Sequence, residues 1–118
     1  MKKIYYLKTC STCVRILKDL NPSTDYILQD IKTEEITVKQ LEHMKDLAGS
    51  YEALFSKRSK LYKEMGLKNQ KLTEKDYKYY ILHHYTFLSR PVFIISNSIY
   101  IGNSKNNIEA VKKTMNAK

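Results

Sequence analysis

The sequence is short of cysteine, proline and glycine, has no tryptophan, and contains no long apolar run. Two cysteines in 118 residues exclude a secreted scaffold stapled by disulfides. Two prolines and three glycines argue against a loop-rich or repeat-turn fold. No stretch of about 18 apolar residues occurs, so no transmembrane helix is predicted. The start, Met1-Lys2-Lys3-Ile4-Tyr5-Tyr6-Leu7-Lys8, is basic, but its apolar run is too short for a signal peptide and stops at Lys8. The expectation is a cytoplasmic protein with no membrane association, whose thiols are kept reduced.

What is present is an ordinary globular composition. Apolar residues at 42% and charged residues at 28% rule against disorder of the whole chain. A chain of 118 residues is long enough for one domain with a real core and too short for two. The net charge of +9, from 21 Lys and Arg against 12 Asp and Glu, favours anionic partners such as nucleic acid, an acidic protein surface or small oxyanions. The basic residues are scattered rather than massed, so a plain solvated surface stands beside that reading.

Hydrophobic patterning divides the chain into three stretches. Lys3 to Leu7 reads as a buried strand, and Cys13, Leu17 and Leu20 recur at helical spacing up to Asn21-Pro22. Tyr26-Ile27-Leu28 reads as a second strand. Strand, helix, strand over 3–30 forms a βαβ unit with a parallel pair. A helical block follows over 32–85. It opens on the capping box Thr37-Val38-Lys39-Gln40 and continues through a helical stretch from about Tyr51 to Met65, with Arg58 or Ser59 as a break point. Its last helix starts at Thr73, with Tyr77, Tyr80, Ile81 and His84 inward. Pro91 to Ile95 and Ser98 to Ile101 then form an antiparallel hairpin across Ser96-Asn97, and a final helix presents Ile108, Val111 and Met115. The order βαβ, helical block, ββα predicts a single α/β domain over 1–118. It has thioredoxin-like topology, a four-stranded mixed sheet and a helical insertion at 32–85.

Cys10-Ser11-Thr12-Cys13 carries the strongest chemical signal, because it falls where the first strand meets the first helix. Free N–H groups and the positive end of the dipole at a helix start favour a thiolate over a thiol. A cysteine in such a C-x-x-C position has its pKa lowered from about 8.5 to about 3.5–7.5. Cys10, just before the helix, is the expected nucleophile; Cys13, one turn in, is the expected resolving thiol. Two plainer readings stand beside this one. The cysteines could simply be packing residues, or half of a zinc site, although His43, His83 and His84 lack ligand spacing.

Arg90-Pro91 is the second signal. A proline directly before a buried strand, at this place in a thioredoxin-like order, is expected to be cis and to face the C-x-x-C motif. Arg90 would then lie near the thiolate, where its fork binds an oxyanion or keeps the sulfur charged, unless it is a plain surface arginine. Lys57-Arg58-Ser59-Lys60 is a basic cluster that reads either as a solvated face or as the source of a second active-site cation. His83-His84 reads as packing or capping at a helix end.

Three segments together resemble the arsenate reductase ArsC/Spx family: Tyr6 to Cys13, Ser56 to Tyr62, and Leu88 to Val92. The likeness extends to Tyr100-Ile101-Gly102-Asn103 and implies a thioredoxin-like fold with a helical insertion. Glutaredoxin-linked arsenate reductases of this kind use one nucleophilic cysteine and three arginines around the arsenate. Cys10 matches the nucleophile and Arg90 the arginine before the proline. Ser56 stands where the first arginine is expected, with Arg58 two residues on as in Spx-like members. Gly102-Asn103 stands where a further arginine follows the last strand, and Val14 where a basic residue is common, with Arg15 next. Cys13 is a feature of Spx-like redox switches.

The resemblance implies a thiol–disulfide reductase, arsenate reductase-like, with Cys10, Cys13, Arg58, Arg90 and Pro91 as site residues. The alternative it implies is an Spx-like redox-sensing regulator that binds the RNA polymerase alpha subunit. The substrate expected for the reductase is a small oxyanion or a thiol compound, with glutaredoxin or thioredoxin as electron partner and glutathione as co-substrate. No bound cofactor or metal is expected, and the chain is expected to act as a monomer.

Overall fold

The computed structural model describes residues 1–117; Lys118, the end of the span read as one domain, lies outside the described residues. The chain forms two compact units. One combines Met1–Glu34 with the chain from Arg90 onward, and the other is Glu35–Ser89.

The first unit holds a four-stranded sheet of β1 (Lys2–Tyr6), β2 (Ile27–Asp30), β3 (Val92–Ile95) and β4 (Ser98–Ile101). The strand order is β2-β1-β3-β4. β1 runs parallel to β2 and antiparallel to β3, and β3 pairs antiparallel with β4. This is the mixed, thioredoxin-like sheet that the element order predicts. Ile4 pairs with Phe93, and Phe93 with Tyr100, so side chains from three strands line up on one face. That face meets Ile16 of α1 (Ser11–Leu20) and Val111 of α5 (Lys105–Asn116), with Leu17, Leu20, Ile108 and Met115 packed around them. Tyr5, Val92 and Ile94, which alternate onto the opposite face, are buried as well.

Local chemistry sets the ends of these elements. α1 stops where Asn21 takes a left-handed conformation (φ 44°), with its N–H on the Leu17 carbonyl and Pro22 next in sequence. Ser104 starts α5 by accepting the Asn107 N–H at 3.2 Å. β2 lies one to two residues later than its apolar run suggests, and its polarity is inverted. Ile27 and Leu28 are exposed, whereas Gln29 is buried and donates its side-chain amide to the Glu34 carbonyl at 3.0 Å.

The second unit is built from α2 (Val38–Ala48), α3 (Lys60–Glu64) and α4 (Glu74–His83), with short 3₁₀ turns between and after them. Both α2 and α4 begin with reciprocal capping boxes, Thr37 with Gln40 and Thr73 with Asp76. The stretch from Tyr51 to Met65 is broken ahead of Ser59, as expected, but only its second part is an α-helix. A 3₁₀ turn at Glu52–Leu54 gives way to extended backbone at Phe55, which bridges to Leu88. Helix resumes only after Ser59, whose hydroxyl accepts the Tyr62 N–H at 3.1 Å. The break lets the Phe55 ring stack on Phe87 at 5.4 Å and meet Tyr77 at 4.8 Å, a packing gain that a continuous helix would forgo. His84 is likewise not on the inner face of α4. It is exposed, extended and just past the helix end, where its Nδ1 accepts the Thr86 N–H at 3.1 Å.

Candidate functional site

Cys10 is the N-cap residue of α1, in extended conformation (φ −93°, ψ 112°). The turn that leads to it is closed by the Cys10 N–H on the Leu7 carbonyl at 3.0 Å, and the helix then begins with the Val14 N–H on the Cys10 carbonyl at 3.1 Å. Both cysteines are free thiols; Cys10 is half-buried and Cys13 fully buried. This placement follows from the sequence: the apolar spacing from Cys13 turns that residue inward, and Cys10 sits where the chain leaves the sheet.

The two thiols are driven in opposite directions. Burial opposes ionisation of Cys10 and is its largest single influence, but the opposing groups outweigh it. The Cys13 N–H, the Cys13 thiol, the Thr12 N–H and the positive charge of Arg90 together hold Cys10 below the usual thiol range. The neutral Cys10 side chain makes no strict capping hydrogen bond. The N–H groups of Thr12 and Cys13 face the sulfur as a charge site rather than as a cap, the behaviour expected of a weak acceptor that strengthens on ionisation. Burial dominates at Cys13. A backbone hydrogen bond from Leu7 and the Arg90 charge pull the other way, but burial and the neighbouring Cys10 push Cys13 up to about 11. The arrangement therefore sets a half-buried thiol with a lowered pKa beside a buried thiol with a raised one.

The Arg90–Pro91 bond is cis, the isomer expected there. Pro91 precedes β3, where its missing N–H leaves no gap in the ladder, and its carbonyl accepts the Gly102 N–H at 2.8 Å. Gly102 is in the left-handed region (φ 94°) directly after β4, and its own carbonyl accepts the Asn107 side-chain amide at 2.7 Å. Cys10, Cys13, Arg90 and Pro91 thus all belong to the sheet-bearing unit, and the charge of Arg90 acts on both sulfurs.

Arg58 belongs to the second unit, exposed on the segment ahead of α3. Its neighbours in the basic cluster serve local structure. Lys57 pairs with Glu52 at 3.0 Å, Ser59 caps α3, and Lys60 approaches Glu64 at 3.9 Å. His83 stacks on Tyr79 with ring centroids 4.1 Å apart. Among the described residues no group of three or more His, Cys, Asp or Glu side chains is placed to hold a metal ion. No helix among them is long and apolar enough to cross a membrane.

Residues 5–111 match the ArsC family. The chain belongs to the ArsC family. Its structure is similar to that of an arsenate reductase from Vibrio cholerae, with a TM-score of 0.70 and 19% identity over 94% of this chain and 95% of that one. It is also similar to an ArsC-family-related protein from Bacteroides fragilis, with a TM-score of 0.75 and 21% identity over 93% and 97% of the two chains. An arsenate reductase related protein from Brucella melitensis gives a TM-score of 0.69 and 18% identity over 92% of each chain. No curated protein matches the sequence. At these identities the structural likenesses speak for the ArsC-type fold, and family membership rests on the sequence match. One residue of this ArsC-family chain went unread in the sequence: Asp30, whose carboxylate reaches the turn before Cys10. The local signal for it was the Asp30-Ile31-Lys32-Thr33 stretch, an Asx-type turn pattern at a strand end.

Proposed function

We propose that this ArsC-family protein is a thiol–disulfide oxidoreductase in which Cys10 is the nucleophile and Cys13 the resolving thiol. The observation that carries the reading is the pairing of a half-buried Cys10 at the start of α1, its pKa held below the usual thiol range, with a buried Cys13 one turn behind it. The Cys10 thiolate attacks one sulfur of a substrate disulfide, forming a mixed disulfide and releasing the other half as a thiolate. Cys13 then gives up its proton and attacks the Cys10 sulfur. The second half of the substrate leaves as a thiol, and the Cys10–Cys13 disulfide carries the oxidation. Two electrons pass from the pair to the substrate, and a thiol donor such as glutathione, glutaredoxin or thioredoxin returns them. The positive charge of Arg90 adds to the backbone N–H groups in favouring the ionised Cys10 sulfur.

The test is a trap. With Cys13→Ser and oxidised glutathione, the protein should accumulate a stable adduct of one glutathionyl group on Cys10. Wild type treated the same way should release it and lose two hydrogens as the pair closes. A Cys13→Ser variant that forms no adduct, or that forms it and turns over like wild type, contradicts the assigned roles.

Cys13 itself supports a second reading, because the nucleophile of arsenate reductases in the resemblance acts without such a partner. The Cys10–Cys13 disulfide would then be a switch, and the protein an Spx-like regulator of RNA polymerase. Binding to purified RNA polymerase alpha subunit that changes when the pair is oxidised, with no catalytic turnover of disulfides, distinguishes it.

A further inference from the structure

β1 and β2 part after their last register pair, Tyr6 with Asp30. The Ile31 N–H still donates to the Tyr6 carbonyl at 3.0 Å. If the parallel ladder continued, the next inward donor of β1, the Lys8 N–H, would go to the backbone of the neighbouring strand. It goes instead to the Asp30 carboxylate, with Oδ1 accepting at 3.2 Å. The same oxygen accepts the Lys32 N–H at 3.3 Å, and Oδ2 accepts the Thr33 hydroxyl at 3.2 Å. One side chain therefore ties together the two chain segments that leave the sheet. One of these segments is the turn that ends in Cys10.

Burial of Leu7 and its backbone hydrogen bond to the Cys13 sulfur hold the start of that turn, but not its tip. Lys8 and Thr9 are exposed, so apolar burial fixes neither. The turn's own bond, from the Cys10 N–H to the Leu7 carbonyl at 3.0 Å, closes it without anchoring it to the sheet. The N–H groups that stabilise the Cys10 thiolate are those of Thr12 and Cys13. Their direction at the sulfur depends on where the turn delivers Cys10. Charge-assisted bonds from a carboxylate to backbone N–H groups are among the stronger hydrogen bonds available for such a task.

We infer that Asp30 is a positioning residue for the Cys10 thiolate: its carboxylate fixes the Lys8–Cys10 turn and so holds the first N–H groups of α1 on the sulfur. The inference rests on the reading of Cys10 as nucleophile and adds the residue that sets its geometry. It makes a prediction of opposite sign to a simple charge effect. A negative charge removed from the vicinity of a thiolate should make ionisation easier, so a field role predicts more reactive Cys10 in any neutral variant. A positioning role predicts less reactive Cys10 in Asp30→Ala and nearly unchanged Cys10 in Asp30→Asn, whose amide oxygen can still accept the Lys8 and Lys32 N–H groups.

The experiment follows iodoacetamide labelling of Cys10 against pH in reduced full-length protein, together with hydrogen exchange at the Lys8 amide. Near pH 6, Asp30→Ala should label about tenfold more slowly than wild type, the consequence of roughly one unit of lost thiolate stabilisation. Asp30→Asn should stay within about twofold, a shift of only about 0.3 unit. Lys8 amide exchange should quicken in the alanine variant and not in the asparagine one. If Asp30→Ala does not fold, Asp30→Ser, whose shorter side chain does not span the same two donors, is read in its place. A Cys10 profile that stays at its wild-type position in the alanine or serine variant overturns the inference. So does an asparagine variant that moves as far as alanine, or faster labelling in all variants. In each of those cases the wild-type profile still shows a reactive Cys10, so the assignment of the nucleophile survives. An ordinary thiol at Cys10 in wild type removes that assignment and this inference with it.

Discussion

Cys10→Ser should lower disulfide reduction to the background rate, a loss of at least about 10³-fold of the kind seen when a catalytic nucleophile is removed. A serine hydroxyl at the start of α1 stays protonated at neutral pH, and the Thr12 and Cys13 N–H groups and Arg90 then have no anion to stabilise. Cys13 is not a substitute. Its pKa is raised chiefly by burial, which the variant retains, and the same burial shields it from a substrate. The check is the initial rate of oxidised glutathione reduction by the wild type and the variant at a saturating level of thiol donor. A Cys10→Ser protein that retains even a tenth of the wild-type rate would place the chemistry on another group.

Arsenate should be a poor substrate, at least about 10²–10³-fold below an arsenate reductase of the family, which is the usual cost of one missing charge-stabilising donor. The family resemblance calls for three arginines around the oxyanion. Arg90 matches one of those places in the resemblance, and its charge reaches both sulfurs. Where a further arginine follows the last strand, this chain has Gly102-Asn103. Gly102 is in the left-handed region at φ 94°, with its N–H committed to the Pro91 carbonyl, so the backbone there is shaped for glycine. Ser56 stands at the place of the first arginine, and Arg58 is two residues on. Arsenite formation with glutathione and glutaredoxin, measured beside the Vibrio cholerae arsenate reductase, checks this. Comparable turnover of the two proteins would return arsenate to the list of substrates.

Elements whose apolar residues face the core were legible from the sequence alone. β1, β3, α1 and α5 carry their buried residues at the expected period, and the capping boxes at Thr37 and Thr73 need only neighbours three residues away. β2 was displaced because it is an edge strand. Its apolar residues Ile27 and Leu28 are 60% and 46% exposed, while Gln29 is 1% exposed. Hydrophobicity therefore pointed to the wrong residues. The Tyr51–Met65 stretch misled for a different reason. Its apolar residues have helical spacing, but the Phe55 backbone pairs with Leu88, 33 positions away, and its ring completes an aromatic cluster. No local pattern announces such a contact. The site divides along the same line. Cys10 and Pro91 stand out as candidates because they precede recognisable elements, α1 and β3; Cys13 follows from the C-x-x-C spacing and Arg90 from its place before Pro91. Arg58 stands out only as a member of the basic cluster Lys57–Lys60 and through the family resemblance. For Asp30 the local Asx-type turn pattern gives no sign of its second partner, the Lys8 N–H 22 residues away.

The most direct test is the pH dependence of thiol alkylation in the reduced wild-type protein, resolved by peptide mass spectrometry so that each cysteine is followed without altering its neighbour. Cys10 should react with an apparent pKa below the ordinary value of about 8.5. Cys13, with a pKa of about 11, should label appreciably only in strongly alkaline solution. Near pH 6 the account predicts that Cys10 is alkylated well ahead of Cys13; faster labelling of Cys13, or equal labelling of the two, would contradict it.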